Sequence, residues 1–508
     1  MDGDGRTAPR DTSPVMPEPL ALEAALAATD TRRTRRAVLA GVGEARNHPD
    51  RGDAPTDAVA LMAEAALAAA KDLGDPCVLD AVGLVAAPVG SDDAPDPAGA
   101  VRDRLHLAGA RTMVAAIGVP QQRLVSQAVL AVETGAADAV LVVGGEAKAS
   151  QLHCRRAGTD APVVAQGPGA DDLLVPHGEL MGAAEVAAMW WDPVAQYALI
   201  DSTLARVGGS SPRRLRDDVS ALWARFDAVA ASRPDALFAG PRSAAELAAT
   251  TEENRLLAYP YNKWHSTQWA LDHAAALIIC SEDLARRHGA AAEALLHPIV
   301  ALDSSWGLTL SRRAEPHRWP AMELMGDIAA DHLGAAVGDL GVQELYSCFP
   351  AAVRLQQRAL GLPLDGTPTV VGGMPFFGGP FNHFTYMATA AVARVLRDAP
   401  PPDARALVTT VSGLLTKGGL MVWGREPHPD GVLVADLAEQ VDAATATVEL
   451  ADFDPGRTIR GDDRVVAATV TGGFDPGLLA LVDDDAGVRR VVSAPAPEGD
   501  PADALATI

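Results

Sequence analysis

A chain of 508 residues has room for two to four domains and a large buried core. With 48% hydrophobic and 21% charged residues it has the make-up of a soluble globular protein, and a formal net charge of −24 argues against nucleic acid or an anionic membrane as its main partner. The four cysteines, Cys77, Cys154, Cys280 and Cys348, are far apart with no Cys-x-x-Cys, so neither a zinc site nor a disulfide framework is expected, and a reducing cytoplasm is the simplest setting.

Residues 1–35, rich in Pro, Asp, Arg and Ala, read as a disordered tail with a short helix at 20–28. The apolar stretch after Arg32-Arg33-Thr34-Arg35-Arg36 meets Glu44 too soon for a twin-arginine export signal, and no apolar run approaches the roughly 20 residues that span a bilayer. The first strand is expected at 37–42. Asp57 then opens an Ala-rich helix in which Leu61, Ala65, Ala68 and Leu73 keep roughly helical spacing. Strands follow within 78–89 and at 113–117. Pro120 starts a helix with one apolar stripe, Leu124, Val125, Ala128, Val129 and Val132, before a strand at 139–143 and Gly144-Gly145-Glu146.

Residues 147–258 break this alternation with a polar loop and several helices, and read as an insertion covering a site, with 259–266 returning the chain to it. The near-continuous apolar run 272–281 suits a strand buried on both faces. The pattern then repeats: a helix at 319–333, a strand at 344–347, a helix from Phe349 or Pro350, a glycine loop at 372–380, a helix from about Asn382 and a strand at 406–411. Alternating strands and helices predict mostly parallel, helix-covered sheets. Beyond residue 428, short strands at 445–450, 464–471, 478–482 and 488–492 form a small all-β appendage.

The runs Tyr346-Ser347-Cys348-Phe349 and Gly372-Gly373, followed by Gly378-Gly379-Pro380, resemble the His-Asp-Cys-Phe and Gly-Gly…Gly-His-Pro motifs of the thiolase superfamily, its sterol-carrier-type branch above all. Residues 130–146 resemble that family's nucleophile helix and following strand, and Asp272-His273-Ala274-Ala275-Ala276-Leu277 its Asp-Gly-Ala-Ala-Ala-Leu strand. The closest subgroup is the thiolase-like proteins often called acetyl-CoA acetyltransferases. The resemblance covers residues 37–427 and implies an α/β duplicated thiolase fold: two βαβαβαββ halves layered α-β-α-β-α. It divides the chain into a tail (1–35), a first half (36–290) carrying the insertion 147–258, a second half (291–427), and a β-domain (428–508) similar to the OB-like barrel of mycobacterial-type relatives.

Carried over position by position, the resemblance puts Gly118 where the family has its nucleophilic cysteine, Gly379 at its Gly-His-Pro histidine and Val411 at its second cysteine. Ser347 stands where a side chain holds an oxyanion water. Glycine and valine offer neither nucleophile nor proton, so standard thiolase chemistry is not expected. The remaining catalytic candidates are Ser347, which could still hold that water, His383, which reads equally as a capping or solvated helix start, and Cys348, whose family counterpart is usually structural. Gly118, Gly379, Asn382, Tyr259 and Tyr261 are the substrate-binding candidates, the last two read first as an aromatic loop packed on the core. Cys154 and His153 sit by Arg155 and Arg156 in an expected polar loop, and Lys417 faces either a ligand phosphate or solvent.

Three readings stay open: an acyl-CoA-binding protein of the acyltransferase class, an acyl-CoA carbon–carbon lyase working without a covalent intermediate, and a non-enzymatic acyl-CoA-binding partner subunit. All take a coenzyme A thioester as ligand or substrate, with no metal or resident cofactor and no nucleic-acid or membrane partner. The β-domain is the candidate surface for a protein partner, and a homodimer through the first half is left open.

Overall fold

The computed structural model describes residues 35–508 except 93, 165, 166, 168, 235, 239, 399–403 and 474–475. The expected tail and its short helix at 20–28 lie outside the described residues. The first half runs β1 (Ala37–Asn47), α1 (Ala58–Leu73), β2 (Val82–Pro88), α2 (Pro97–Arg104), β3 (Arg111–Ala115), α3 (Gln121–Glu133) and β4 (Ala139–Ala147). Then come α4 (Lys148–Ala157), β5 (Asp172–Leu174), α5 (Ala183–Ala187), α6 (Pro193–Val207), α7 (Pro212–Ala231), α8 (Ala244–Ala248), β6 (Leu256–Ala258) and β7 (Tyr261–Asn262), before β8 (Asp272–Ser281) closes the first sheet.

The second half comprises α9 (Glu282–Arg287), β9 (His297–Ser304), α10 (Pro320–Leu333), β10 (Val342–Glu344), α11 (Pro350–Ala359), α12 (Phe384–Asp398), β11 (Arg405–Ser412), β12 (Lys417–Gly424) and β13 (Leu433–Asp436). The chain ends with α13 (Ala438–Ala444), the antiparallel sheet β14 (Arg464–Val470), β15 (Gly477–Asp483) and β16 (Arg489–Pro495), and α14 (Pro501–Ala506).

The two main sheets carry the same wiring. The first has the order β1-β8-β4-β2-β3-β5 and the second β10-β11-β12-β9-β13. In the first sheet β1 pairs antiparallel with β8, β8 antiparallel with β4 and β4 parallel with β2; in the second β9 pairs antiparallel with β12, β12 antiparallel with β11 and β11 parallel with β10, while β13 adds to β9 in parallel. This is the duplicated architecture. Helices α3 and α12 lie between the sheets: α3 touches β4 and β8 of one and β9 and β12 of the other, and α12 touches β8 and β11. Helix α1 covers the outer face of the first sheet, while α10 covers the second, giving α-β-α-β-α layers.

Sequence explains much of this locally. Asp57 caps α1 by accepting from Ala60 N at 2.8 Å, and Gly74, at φ 121°, ends it. All ten residues of β8 are buried, as its apolar run requires of a central strand. Helix α3 buries eleven of its thirteen residues, including Gln121, Gln122, Ser126 and Gln127, because a helix between two sheets has no solvent face.

Two local expectations are corrected. The segment of His153 and Cys154 is helical rather than a loop, with Cys154 buried and His153 bonded to Asp50. The stretch 445–450 is not a strand: Thr447 and Leu450 make isolated bridges to Arg313 and Arg489, with no partner strand for a ladder. The C-terminal unit is a three-stranded antiparallel sheet packed around Tyr259, Ala468, Val470, Ala480 and Val482. Among the described residues no helix is long and apolar enough to cross a membrane.

The central layer is tightest where α12 meets β4: a Cβ on Gly144 would stand 2.4 Å from His383 Cβ. Gly144→Ala is therefore expected to destabilise the protein by about 1–3 kcal/mol, the usual cost of overpacking a core, readable as a lower urea midpoint at unchanged m-value.

Candidate functional site

The segment before α3, the turn 346–349, the loop before α12 and the β11–β12 hairpin meet at one cavity of about 480 Å³, within the range of small-molecule sites. Gly118, Gln121, Tyr346, Cys348, Phe349, Gly379, Asn382, Val411 and Gly413 come from these four segments. Leu180, Asp192, Val194 and Tyr197 reach in from the insertion, and Ser266, Thr267 and Trp269 from the returning strand. Ile117, Trp269 and Phe381, each exposed by 41–47%, form an apolar lip. Among the described residues no lysine or arginine lines the wall.

The polar centre of the cavity is Gln121. Its Oε1 accepts from Thr385 N at 2.7 Å and its Nε2 donates to the Tyr346 hydroxyl at 3.4 Å. Pro120 gives α3 no side-chain cap, so the helix brings uncapped N–H groups and the positive end of its dipole toward this end of the cavity. A carbonyl or oxyanion would be favoured there.

The positions that should carry thiolase-type chemistry are not merely empty. Gly118 has φ 100°, and a Cβ on it would stand 3.2 Å from Pro176 and 3.4 Å from Leu180. A Cβ on Gly379 would stand 2.3 Å from Thr267 Cγ2 and 2.7 Å from Met374 Cβ. Thr267 is fixed there by donating to the Cys348 carbonyl at 2.9 Å. Neighbouring side chains have taken the volume of the absent ones.

Of the sequence candidates, Gly118, Gly379, Asn382 and Cys348 are on the cavity wall. Asn382 spends its amide on Val89 O at 2.9 Å. The Cys348 thiol lies beside the Tyr197 hydroxyl; burial pushes it up to about 12, only partly offset by that hydrogen bond, so it is protonated at neutral pH and a weak nucleophile.

The other four candidates are not on the wall. Ser347 is fully buried behind the turn, where its Oγ accepts from Met374 N at 3.2 Å and holds the glycine loop. His383 points between the layers: its Nε2 lies 2.9 Å from His273 Nδ1, whose Nε2 lies 3.2 Å from Glu44. Burial and the neighbouring His273 hold it neutral, well below the usual histidine range. Burial alone would raise the Glu44 carboxyl, but His273 and Arg394 hold it well below the usual carboxylate range. The Tyr259 hydroxyl donates to Pro212 O at 2.9 Å, and its ring stacks under Arg216. The Tyr261 hydroxyl donates to Asp201 and accepts from Ala351 N at 3.2 Å. Lys417 does not face solvent; it is fully buried.

Sequence reading missed Gln121, Tyr197, Asp192, Thr267 and Leu180 as wall residues. Tyr346 stood inside the run Tyr346-Ser347-Cys348-Phe349 and could have been read from it. Those from the insertion carry no local signal. Among the described residues no cluster of His, Cys, Asp and Glu could hold a metal ion.

No protein-family model matches this sequence, and no curated protein matches it by sequence. Solved structures do. The chain resembles a monomeric SCP2-thiolase like protein type 1 from Mycobacterium smegmatis, with TM-score 0.73, 24% identity, and 92% of this chain and 95% of that one covered. It also resembles the Ltp2-ChsH2(DUF35) aldolase, with TM-score 0.57, 20% identity and coverage of 76% and 97%. The dimeric peroxisomal thiolase of Saccharomyces cerevisiae matches with TM-score 0.52, 14% identity and coverage of 77% and 98%. The chain has the thiolase fold.

Two outcomes are expected from this geometry. Gly379→His should not restore thiolysis, and should cost stability unless Thr267 is shortened as well; activity and urea unfolding of the single and double variants check it. His265, which anchors the returning strand through Ser220 Oγ at 3.0 Å and Asn262 N at 3.2 Å, is held neutral by burial, down to about 3. The unfolded chain, with a histidine near 6.5, takes up that proton first, so its contribution is complete above about pH 6.5 and is lost as pH falls toward 3, by up to about 1.4 kcal/mol per pH unit. Unfolding midpoints from pH 7 to 4 should fall less steeply in His265→Gln.

Proposed function

We propose that the protein binds an acyl thioester of the coenzyme A type, with its acyl group in the cavity and its carbonyl toward Gln121 and the N-terminal end of α3, and that it forms no acyl-cysteine intermediate. The observation that carries this reading is the cavity at the meeting of Gly118, Gly379 and Val411: the space and the carbonyl-facing donor are present where the nucleophile and base are absent. Apolar Leu180, Val194, Phe349, Met374 and Leu414 suit an acyl chain, and the exposed Trp269 ring, with Lys148 Nζ 5.1 Å above it, offers a contact for the carrier at the lip. The assignment to the acyltransferase class rests on resemblance alone.

A second reading, a carbon–carbon lyase acting on an acyl-CoA, is favoured by the Tyr346–Gln121 pair. A phenol hydrogen-bonded to an amide on an apolar wall could donate to a carbonyl or an enolate without any covalent step. One of the similar structures is an aldolase by its own description. The third reading, a non-enzymatic binder, needs a partner, and the C-terminal sheet is its candidate surface.

Calorimetry with acetyl-CoA and longer acyl-CoA esters should show binding that tightens with chain length, since each buried methylene is worth about 0.8 kcal/mol. Intact-mass measurement after incubation should show no acyl adduct. Acetoacetyl-CoA thiolysis should fall far below the ordinary enzyme range of about 1 to 10³ s⁻¹. No binding of any ester refutes the reading, and acylation of Cys348 refutes its non-covalent part.

A further inference from the structure

Only four of the 42 basic residues are lysines, and one of them, Lys417, is fully buried. Its ammonium makes one long hydrogen bond, to Thr416 Oγ1 at 3.4 Å, and among the described residues no carboxylate pairs with it. A buried ammonium without a counter-charge is costly. Burial pushes it down to about 8, so about half of it is free amine at pH 8. Arginine could not supply a neutral nitrogen there.

Its position matters as much as its charge. Lys417 opens β12 directly after the hairpin whose Ser412, Gly413 and Leu414 line the cavity. The point where a Gly413 Cβ would stand is 3.7 Å from Lys417 Nζ and 2.6 Å from Leu180 Cδ2. The same Leu180 methyl stands 3.4 Å from the corresponding point on Gly118. One half-buried leucine of the insertion thus fills the gap between Gly118 and the hairpin, beside the amine.

We propose that Lys417 is a carbonyl-capturing amine, whose Nζ condenses with the keto or aldehyde carbonyl of an uncharged apolar ligand in the cavity, with Leu180 as its gate. The nitrogen lone pair attacks the carbonyl carbon. The two N–H hydrogens end on the carbonyl oxygen, which leaves as water as the C=N bond forms, and no oxidant or reductant is consumed. The wall is largely apolar beside Gln121, Asp192, Asn382 and a few hydroxyls, and among the described residues it carries no lysine or arginine, which suits such a ligand. Protonated, the imine draws electrons from the neighbouring carbon, an activation that needs neither of the missing cysteines.

The test uses the full chain with butanal and sodium cyanoborohydride, which reduces the imine to a stable secondary amine, followed by peptide mapping. An ordinary lysine has roughly a hundredth as much free base at neutral pH as an amine of pKa about 8. Lys417 is therefore expected to be alkylated about tenfold or more faster than Lys71, Lys148 and Lys263, with a rate that rises through about pH 8. Leu180→Ala should accelerate it, and Lys417→Met should lose that adduct. Alkylation confined to the other three lysines, in both the wild type and Leu180→Ala, overturns the proposal. Because mapping is done on the wild type, the outcome does not depend on Lys417→Met folding. Butanal carries no thioester, so this result and thioester binding by calorimetry fail independently.

Discussion

The structure depends on joining the N-terminal ends of two helices that are both buried between sheets. Gln121, at the start of α3, accepts from Thr385 N at the start of α12, and the Tyr386 hydroxyl donates to Gln121 O at 3.2 Å. These bonds cross from one half of the duplication to the other. They are made in a water-excluded layer, where an unpaired amide would cost more than the bond gains. The relative placement of the halves is thereby fixed where their loops converge. The cavity follows from that junction: Gly118 lies just before one helix and Gly379 just before the other.

Absence of the thiolase side chains is coupled to the insertion and the returning strand. Pro176 and Leu180 approach Gly118, and Thr267 approaches Gly379. A close-packed interior leaves no void where a histidine or cysteine is missing; neighbours fill it, and the backbone at those sites can no longer accept a side chain. Yet the filling stops short of closing the site, since about 480 Å³ stays open between Gln121, Tyr346 and the apolar lip. That open space is where the proposed acyl thioester would sit.

Several polar residues that look chemical in sequence are instead consumed by the scaffold. Asp201 is bonded by both Tyr261 and Arg354, tying α6 to α11 and to the returning strand. Glu44, His273 and His383 form a chain from β1 through β8 to the start of α12, the two imidazoles stacked 5.2 Å apart and nearly parallel. Buried groups of this kind are tolerated because each finds a partner. His383 is held neutral, well below the usual histidine range, and Glu44 is held well below the usual carboxylate range, which unsuits both for proton transfer at physiological pH.

The sequence by itself determined the α/β class: apolar runs such as 272–281, the stripe beginning at Leu124, and the recurrence of proline-led helix and strand fit helix-covered sheets, and the resemblance to thiolases implied their duplication and layering. The resemblance placed glycines at 118 and 379 and a valine at 411 where that family has its catalytic side chains, so its usual chemistry was not expected. What only the tertiary structure decided was which polar groups face the ligand. Burial direction is a property of packing: His383 and Tyr261 sit in the same loops as wall residues, yet turn toward the opposite layer or α6. Leu180, Asp192 and Tyr197 reach the cavity because an insertion folds back over it, a long-range contact with no local signature. Lys417, open in sequence to a ligand phosphate or to solvent, is turned into the interior once β12 is paired between β11 and β9.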